Sequence, residues 1–350
     1  MQRDEAVDVT IVGGGPAGLF AAFYSGLRQM TTKLIEYQPV LGGKVHVYAE
    51  KMIWDIGGLT PVSGERLIEQ LVAQGLTFEP EVVLGQKVVG LSKDEEGLFL
   101  LRTSSGETHR SRTVILAVGY GILKPTKLDI EGAERFELTN LSYTVKSLHR
   151  FAGKTVLISG GGNSALEWAL ELEPIAERVV LTHRKDTFSG HEATIHRLLH
   201  SSVECLFHTT IGKLIASPER DRIAQVVLNR QGEEASLELS VDEVIVSHGF
   251  DRDKDLLENS GLDIAMQDEY GIAGTPMSET SVPGLYAAGD ILHHPGKLHL
   301  IAGAFQDAAN AVNRAKQFIE PDARAWGTVS SHNDLFSRKN RELQKHLYKQ

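Results

Sequence analysis

The sequence predicts an α/β chain in which one plan (buried strand, glycine-rich turn, helix) is used twice. Three observations predict it. Val9-Thr10-Ile11, a short β-branched run, leads into Val12-Gly13-Gly14-Gly15-Pro16-Ala17-Gly18 and then into the helical stretch Leu19-Phe20-Ala21-Ala22-Phe23-Tyr24. Lys154-Thr155-Val156-Leu157-Ile158-Ser159 leads in the same way into Gly160-Gly161-Gly162-Asn163-Ser164-Ala165. Gly13 and Gly160 are 147 residues apart, and so are Glu36 and His183, each at the end of the following strand. Turn, strand and spacing recurring together make an internal repeat.

Each residue type in the turn has a physical reason. Gly13 makes the tight turn, Gly15 lets a pyrophosphate approach the backbone, and Gly18 lets helix and strand pack closely. The N–H groups of the helix N-terminus then face the phosphates. Glu36 ends Lys33-Leu34-Ile35, 18 residues after Gly18, where a carboxylate accepts hydrogen bonds from a ribose hydroxyl. In the second copy, Gly160, Gly162, Asn163 and Ser164 hold the corresponding positions, with Ala165 as the third small residue. There His183-Arg184-Lys185 follows Val179-Val180-Leu181-Thr182 in place of the acid. A carboxylate repels a 2′-phosphate, whereas Arg and Lys attract it. The first copy therefore favours FAD or NAD and the second NADPH. The predicted fold is two Rossmann-like three-layer dinucleotide-binding domains.

The remaining elements follow in order. Leu41-Gly42-Gly43-Lys44-Val45, Tyr48 and Trp54-Asp55-Ile56-Gly57-Gly58 read as a loop that brings backbone to a flat ligand. Residues 64–73 read as an amphipathic helix. Val88-Val89-Gly90-Leu91 and Leu98-Phe99-Leu100-Leu101 read as strands about the turn Glu95-Glu96-Gly97. Thr113-Val114-Ile115-Leu116-Ala117-Val118-Gly119 is a buried strand, and residues 119–125 are a linker punctuated by Gly121 and Pro125. Strands follow at 203–207, 223–228 and 243–247. A return marked by Gly274-Thr275-Pro276 and Val282-Pro283-Gly284 closes the second unit. Leu285-Tyr286-Ala287-Ala288-Gly289-Asp290 is a strand ending in an acid that can orient a ligand hydroxyl, and residues 301–311 form a small-residue helix. The boundaries expected are residues 1–120 with 281–350 for one domain and 121–280 for the other.

Composition narrows the function. The 350 residues are 41% hydrophobic and 23% charged, as in ordinary globular chains, and the length suits two domains. A net charge of −10 disfavours general nucleic-acid binding, which needs a basic footprint. The one cysteine, Cys205, allows neither an internal disulfide nor a Cys-x-x-Cys pair. His196 and His200 have helical spacing but no third ligand, so no metal site is expected. No run approaches the roughly 18 apolar residues of a membrane span, and the first residues lack a signal-peptide core. A cytoplasmic protein without membrane contact is expected. The segment 337–350 is locally basic, with Arg338, Lys339, Arg341, Lys345 and Lys349 against Glu342.

Together these motifs resemble the thioredoxin-reductase-like flavoproteins over nearly the whole chain. The resemblance implies a discontinuous FAD domain made from both chain ends, with an NADP(H) domain inserted between them. Thioredoxin reductase itself carries a Cys-x-x-Cys early in the NADP(H) domain, where this chain has Glu137-Leu138-Thr139-Asn140-Leu141-Ser142-Tyr143. A dithiol relay is thus excluded. The branch resembled is the bacterial ferredoxin–NADP⁺ reductase of thioredoxin-reductase type, on Leu41-Gly42-Gly43, Tyr48, Trp54-Asp55, Asn140-Leu141-Ser142-Tyr143, Glu173-Pro174-Ile175-Ala176 and Asn310-Ala311-Val312-Asn313. This branch implies a homodimer and a C-terminal extension over the flavin.

The resemblance also implies site residues. Glu36 binds the FAD ribose; Lys44, Val88, Leu123, Asp290 and Ser331 contact FAD; the Tyr48 ring stacks on the isoalloxazine. His332 is the candidate ring for the second face. Lys44 stands where glutamine is usual, and a cation there favours anionic reduced flavin. Leu123 replaces a usual Phe. Ser189 replaces an arginine that helps hold the 2′-phosphate, which weakens NADPH preference. The implied reaction is hydride transfer from NADPH to flavin N5, then single-electron steps to ferredoxin or a similar carrier such as flavodoxin, along a path that also runs in reverse. Domain rotation accompanies the hydride step in related enzymes. Two other readings stay open here: a cysteine-free NADPH flavoprotein that reduces a low-molecular-weight disulfide or other carrier, and a flavin-binding sensor.

Overall fold

Five of the six residues from Val7 to Val12 are β-branched, and they form the central strand β1 (Val7–Val12). The structure, a computed structural model, describes residues 5–145, 147–233, 235–327, 330, 333–337, 339–341 and 344, with the backbone alone of Leu123 and Arg252. The chain divides into two compact units, Met1–Ile122 with Arg252–Gln350, and Leu123–Asp251.

In the first unit β1 is followed by α1 (Pro16–Leu27) and β2 (Thr32–Ile35). A small hairpin of β3 (Met52–Ile53) and β4 (Val62–Ser63) leads into α2 (Gly64–Gly75), which the Ser63 hydroxyl caps by accepting the Arg66 N–H at 3.3 Å. Then come β5 (Glu81–Val83), β6 (Val88–Lys93), β7 (Phe99–Thr103) and β8 (Thr108–Leu116). Strands β5, β2, β1 and β8 lie side by side and parallel, and the β6–β7 hairpin joins antiparallel to β8.

The second unit opens with β9 (Leu123–Pro125) and β10 (Leu141–Ser142). Its core is β11 (Thr155–Gly160), α3 (Asn163–Leu172), β12 (Arg178–Thr182), α4 (Glu192–Leu199) and β13 (Glu204–Leu206). It continues with β14 (Thr209–Ala216), β15 (Ile223–Arg230), β16 (Leu237–Ser240), β17 (Glu243–Ser247) and β18 (Phe250–Arg252). The order β10-β17-β11-β12-β13 is parallel throughout, and β14-β15-β16 is a separate antiparallel sheet. Strand alternation builds three layers. Val156, Ile158, Val179 and Leu181 pack under α3 and α4, while Leu157, Val180, Val244 and Val246 pack against Ile211, Val226 and Leu228 of the antiparallel sheet.

The return segment holds α5 (Asp255–Glu258), β19 (Ile272–Ala273), β20 (Leu285–Ala287), β21 (Leu292–His293) and α6 (Ile301–Ile319). Residues 108–111 of β8 pair with β7, and Val114, Ile115 and Leu116 pair with β20, so one strand edge serves two neighbours. Val9, Ile11, Ile115 and Tyr286 share one core with α1, α2 and α6; Val12, Val114, Leu116 and Leu285 share another with the β6–β7 hairpin. No described helix is long and apolar enough to cross a membrane.

The structure moves one boundary. The sequence places the return to the first unit near residue 281, but residues 252–280 already belong to that unit. The Gly261 N–H donates to Leu91 O at 2.8 Å, Leu262 and Ile264 pack on the hairpin core, and β19 pairs with β21. Pro276, Pro283 and the neighbouring glycines therefore punctuate turns inside the unit. The crossing itself lies after Asp251, two residues past Gly249 (φ +97°), and carries no proline. The first crossing lies after Ile122, two residues beyond the expected 120. Residues 43–48, expected as loop, form a 3-10 turn, Gly43–Tyr48.

Candidate functional site

The two glycine turns separate structural glycines from open ones. Gly13 has φ +108°, and a Cβ there would collide with the Ala117 carbonyl. A Cβ at Gly18 would collide with the Gly13 carbonyl, and one at Gly160 would lie 2.5 Å from Ser247 O. Those three are fixed by the protein's own packing. Gly15 differs: a Cβ there would meet only Gly43 Cα, at 3.7 Å. At Gly162 a Cβ would meet nothing within 4 Å. Both have ordinary extended backbone, with φ −79° and −91°, and both stand at the N-cap of a helix that no side chain caps. An open glycine beside an uncapped helix N-terminus is the cradle that a pyrophosphate fills.

The charge at the next strand end is opposite in the two units. Glu36 is buried directly behind the first turn. Its Oε2 accepts the Gly14 N–H at 2.5 Å and its Oε1 accepts the Gln38 N–H at 2.7 Å. These bonds fix the carboxylate, and each oxygen keeps acceptor capacity for a ribose hydroxyl. In the second unit Arg184 and Lys185 are exposed. His183 is partly buried against Gly161, its ring 5.5 Å from that of Phe188. Its Nε2 is buried without a hydrogen-bond partner among the described residues. Burial, together with Lys185 and Arg184, lowers its pKa against the opposing bond to Thr187, so His183 is a neutral ring. The Asn163 Oδ1 accepts the His191 N–H at 2.7 Å and braces the start of α4, while Ser164 is exposed on the first turn of α3. Ser189 closes on the turn, its N–H and hydroxyl both donating to Gly161 O at 2.8 and 3.2 Å.

The other predicted residues fall as follows. Tyr48 ends the 3-10 turn, half-buried, and burial, Asp290 and Asp55 raise its pKa, so the phenol keeps its proton. Asp290 follows β20 in the short turn Gly289–Ile291. Lys44 is exposed, with Nζ 5.3 Å from the centre of the Tyr120 ring. Val88 opens β6 and is buried in the apolar core with Val12, Ile35 and Leu101. Leu123 has its backbone in β9, and its side chain lies outside the described residues, as do Ser331, His332, Arg338, Lys345 and Lys349.

Sequence reasoning missed three kinds of residue. Tyr120 sits beside a glycine that read only as linker. His248 follows β17 directly, its Nε2 2.9 Å from the Ser159 hydroxyl, and desolvation and Arg184 lower its pKa. The carboxyl ends of parallel strands are where ligands sit, so position alone marked it. Asp307 lies on the buried stripe Gly303, Ala304, Asp307, Ala308, Ala311 of α6. An acid in such a stripe is the signal.

Comparison with known proteins follows the same lines. The family model described as pyridine nucleotide-disulphide oxidoreductase matches residues 7–315. Ferredoxin–NADP reductase 1 of Bacillus mycoides (strain KBAB4) is 64% identical over 349 residues, covering 100% of both chains. Ferredoxin–NADP reductase 2 of Exiguobacterium sibiricum is 60% identical over 343 residues, covering 98% of this chain and 97% of that one. Among solved structures, thioredoxin reductase from Lactococcus lactis aligns with a TM-score of 0.70 at 25% identity, covering 89% of this chain and 99% of its own. The chain belongs to the pyridine nucleotide-disulphide oxidoreductase family.

Proposed function

We propose that this chain transfers electrons between NADPH and ferredoxin through a bound FAD. The observation that carries the reading is the paired cradle: two open glycines at uncapped helix starts, one backed by a fixed carboxylate and one by exposed cations. Full-length relatives whose names state ferredoxin–NADP reductase supply the acceptor. When bound, FAD supplies the exchange between two-electron chemistry at nicotinamide and one-electron chemistry at the acceptor.

The residues divide the remaining work. Gly13, Gly15 and Gly18 bring the start of α1 to the FAD pyrophosphate. Glu36 accepts from the adenosine ribose and repels a 2′-phosphate, which keeps NADPH out of this cradle. Tyr48 offers a flat, protonated ring to one face of the isoalloxazine, and Asp290 orients a flavin-chain hydroxyl. Lys44 places a cation at the rim, in reach of Tyr120. In the second unit Gly160, Gly162, Asn163 and Ser164 present backbone N–H groups to the NADPH pyrophosphate. Arg184 and Lys185 take the 2′-phosphate, and neutral His183 gives the adenine a surface without adding charge. Ser189 shapes the Gly161 turn and leaves the phosphate to the two cations. A homodimer, flavodoxin as a further carrier and a cytoplasmic location belong to the same reading.

The half-buried thiol of Cys205 has its pKa raised by burial. It is a poor thiolate, which disfavours disulfide reduction by this chain. Stopped-flow mixing tests the proposal: NADPH should bleach the bound flavin faster than NADH, and oxidised ferredoxin should restore the colour. A flavin that NADPH leaves oxidised ends the reading. Rapid reduction with no transfer to ferredoxin removes the acceptor.

A further inference from the structure

Behind the turn that carries Asp290 lies a cluster of charged side chains with no role in the reading above. The Lys297, Asp307 and His294 side chains are 5%, 6% and 8% exposed. Lys297 Nζ pairs with Asp307 Oδ2 and also donates to Gly289 O at 2.9 Å. Asp307 Oδ2 accepts the Gly289 N–H at 3.0 Å. One residue is thus held at both of its backbone polar atoms by the two members of one ion pair. His294 is held by Nδ1, 2.9 Å from Pro295 O, and its Nε2 stands 3.6 Å from Asp307 Oδ1.

Gly289 is where such a grip has consequences. Its φ is +78°, and a Cβ there would lie 3.1 Å from the Cβ of Ala17 in the first turn of α1. It therefore sits wedged between the glycine turn and Asp290. An apolar pair of the same volume would serve stability as well, since buried ion pairs are weak stabilisers. Only a donor and an acceptor together can hold both the C=O and the N–H of Gly289. The pair is suited to fixing geometry.

We propose that Lys297 and Asp307, with His294 against the second oxygen of Asp307, are positioning residues that set the Gly289-Asp290 turn for the flavin. The inference rests on the reading that this unit binds FAD. The ion pair acts through Gly289 on Asp290, and through it on the flavin's fit beside Tyr48.

The test uses the full chain. The double variant Lys297→Met/Asp307→Asn removes both charges, keeps the side-chain volumes and leaves no charge unpaired. It should still fold cooperatively, with a melt lowered only by the Gly289 carbonyl that loses its donor, yet bind FAD at least about tenfold more weakly, the loss of one charge-assisted hydrogen bond's worth of positioning. The bound-flavin absorption band and its visible circular dichroism should change, and Lys297→Arg alone should keep the parental spectrum and affinity. A folded double variant with parental FAD affinity and spectrum overturns the proposal. If the double variant does not fold, Asp307→Glu decides. This variant keeps the charge but lengthens the reach, and parental affinity and spectrum in it overturn the proposal equally. A parent chain that neither carries nor binds FAD refutes the underlying reading instead, so the two failures are distinct.

Discussion

Glu36→Gln isolates what the carboxylate does behind the first turn. Glu36 is 7% exposed, and its two oxygens accept different backbone N–H groups, from Gly14 at 2.5 Å and Gln38 at 2.7 Å. Glutamine has nearly the same shape but only one acceptor oxygen. In either amide orientation, one of the two N–H groups faces another donor. Losing a hydrogen bond to a charged acceptor removes about 1.5–3 kcal/mol, and an unsatisfied buried donor costs about 1–3 kcal/mol. The two figures overlap on one N–H, so the expected loss of unfolding free energy is about 3 kcal/mol. The ribose hydroxyl meets the same shortage of acceptors, and FAD affinity should fall about 10- to 100-fold. Urea melts of the FAD-free chain and fluorescence titration with FAD measure the two effects separately. NADPH affinity, set in the other unit, should stay at the parental value. A melt within about 0.5 kcal/mol of the parent, with unchanged FAD affinity, refutes the assignment.

Three further outcomes follow from the same geometry. Gly15→Ala and Gly162→Ala should fold with parental melting temperatures but lose FAD and NADPH binding respectively, whereas Gly18→Ala should lower the yield of folded protein; equal damage from all three would erase the distinction between open and packed glycines. Arg184→Gln/Lys185→Gln should raise the KM for NADPH about tenfold or more, leave that for NADH unchanged, and weaken the salt dependence of NADPH binding; parallel losses for both nucleotides would mean that the cations do not face the 2′-phosphate. Burial lowers His183 below its ordinary 6.5, so below that value the unfolded chain takes up a proton that the folded unit resists. Its contribution to stability is complete above about 6.5 and shrinks as pH falls through it, and His183→Phe should flatten urea-melt stability against pH in that window, an unchanged slope being the contrary result.

Legibility in the sequence tracked how local each cause is. The turns at Gly13 and Gly160 were readable because strand, turn and helix are adjacent in sequence and the glycines recur at fixed spacing within them. Glu36 and Arg184 were readable for the same reason, since a fixed number of residues separates the turn from the second strand. Gly15 and Gly162 were named with their neighbours, but only the structure distinguishes them as open. His183 read only as the residue that opens the stretch before Arg184 and Lys185; its partial burial against Gly161, which lowers its pKa, comes from the structure. Lys297 and Asp307 carry no role in the sequence alone, because their meaning lies in backbone contacts with Gly289, 8 and 18 residues away along the chain. The crossing after Asp251 has only Gly249 beside it and no proline, while the prolines that stand out in the sequence serve inner turns.

The shared edge of β8 also dictates an order of assembly. Residues 123–251 are continuous in the chain and form a closed set of layers, so they can fold as soon as they are synthesised. The earlier residues 1–122 cannot finish first. Val114 waits for Leu285, 171 residues later, and the face of α1 waits for α6. Until then an apolar sheet edge and helix face stay open on the ribosome. The unit made first is thus the one completed last, and the inserted unit is a folded body tethered to an unfinished host.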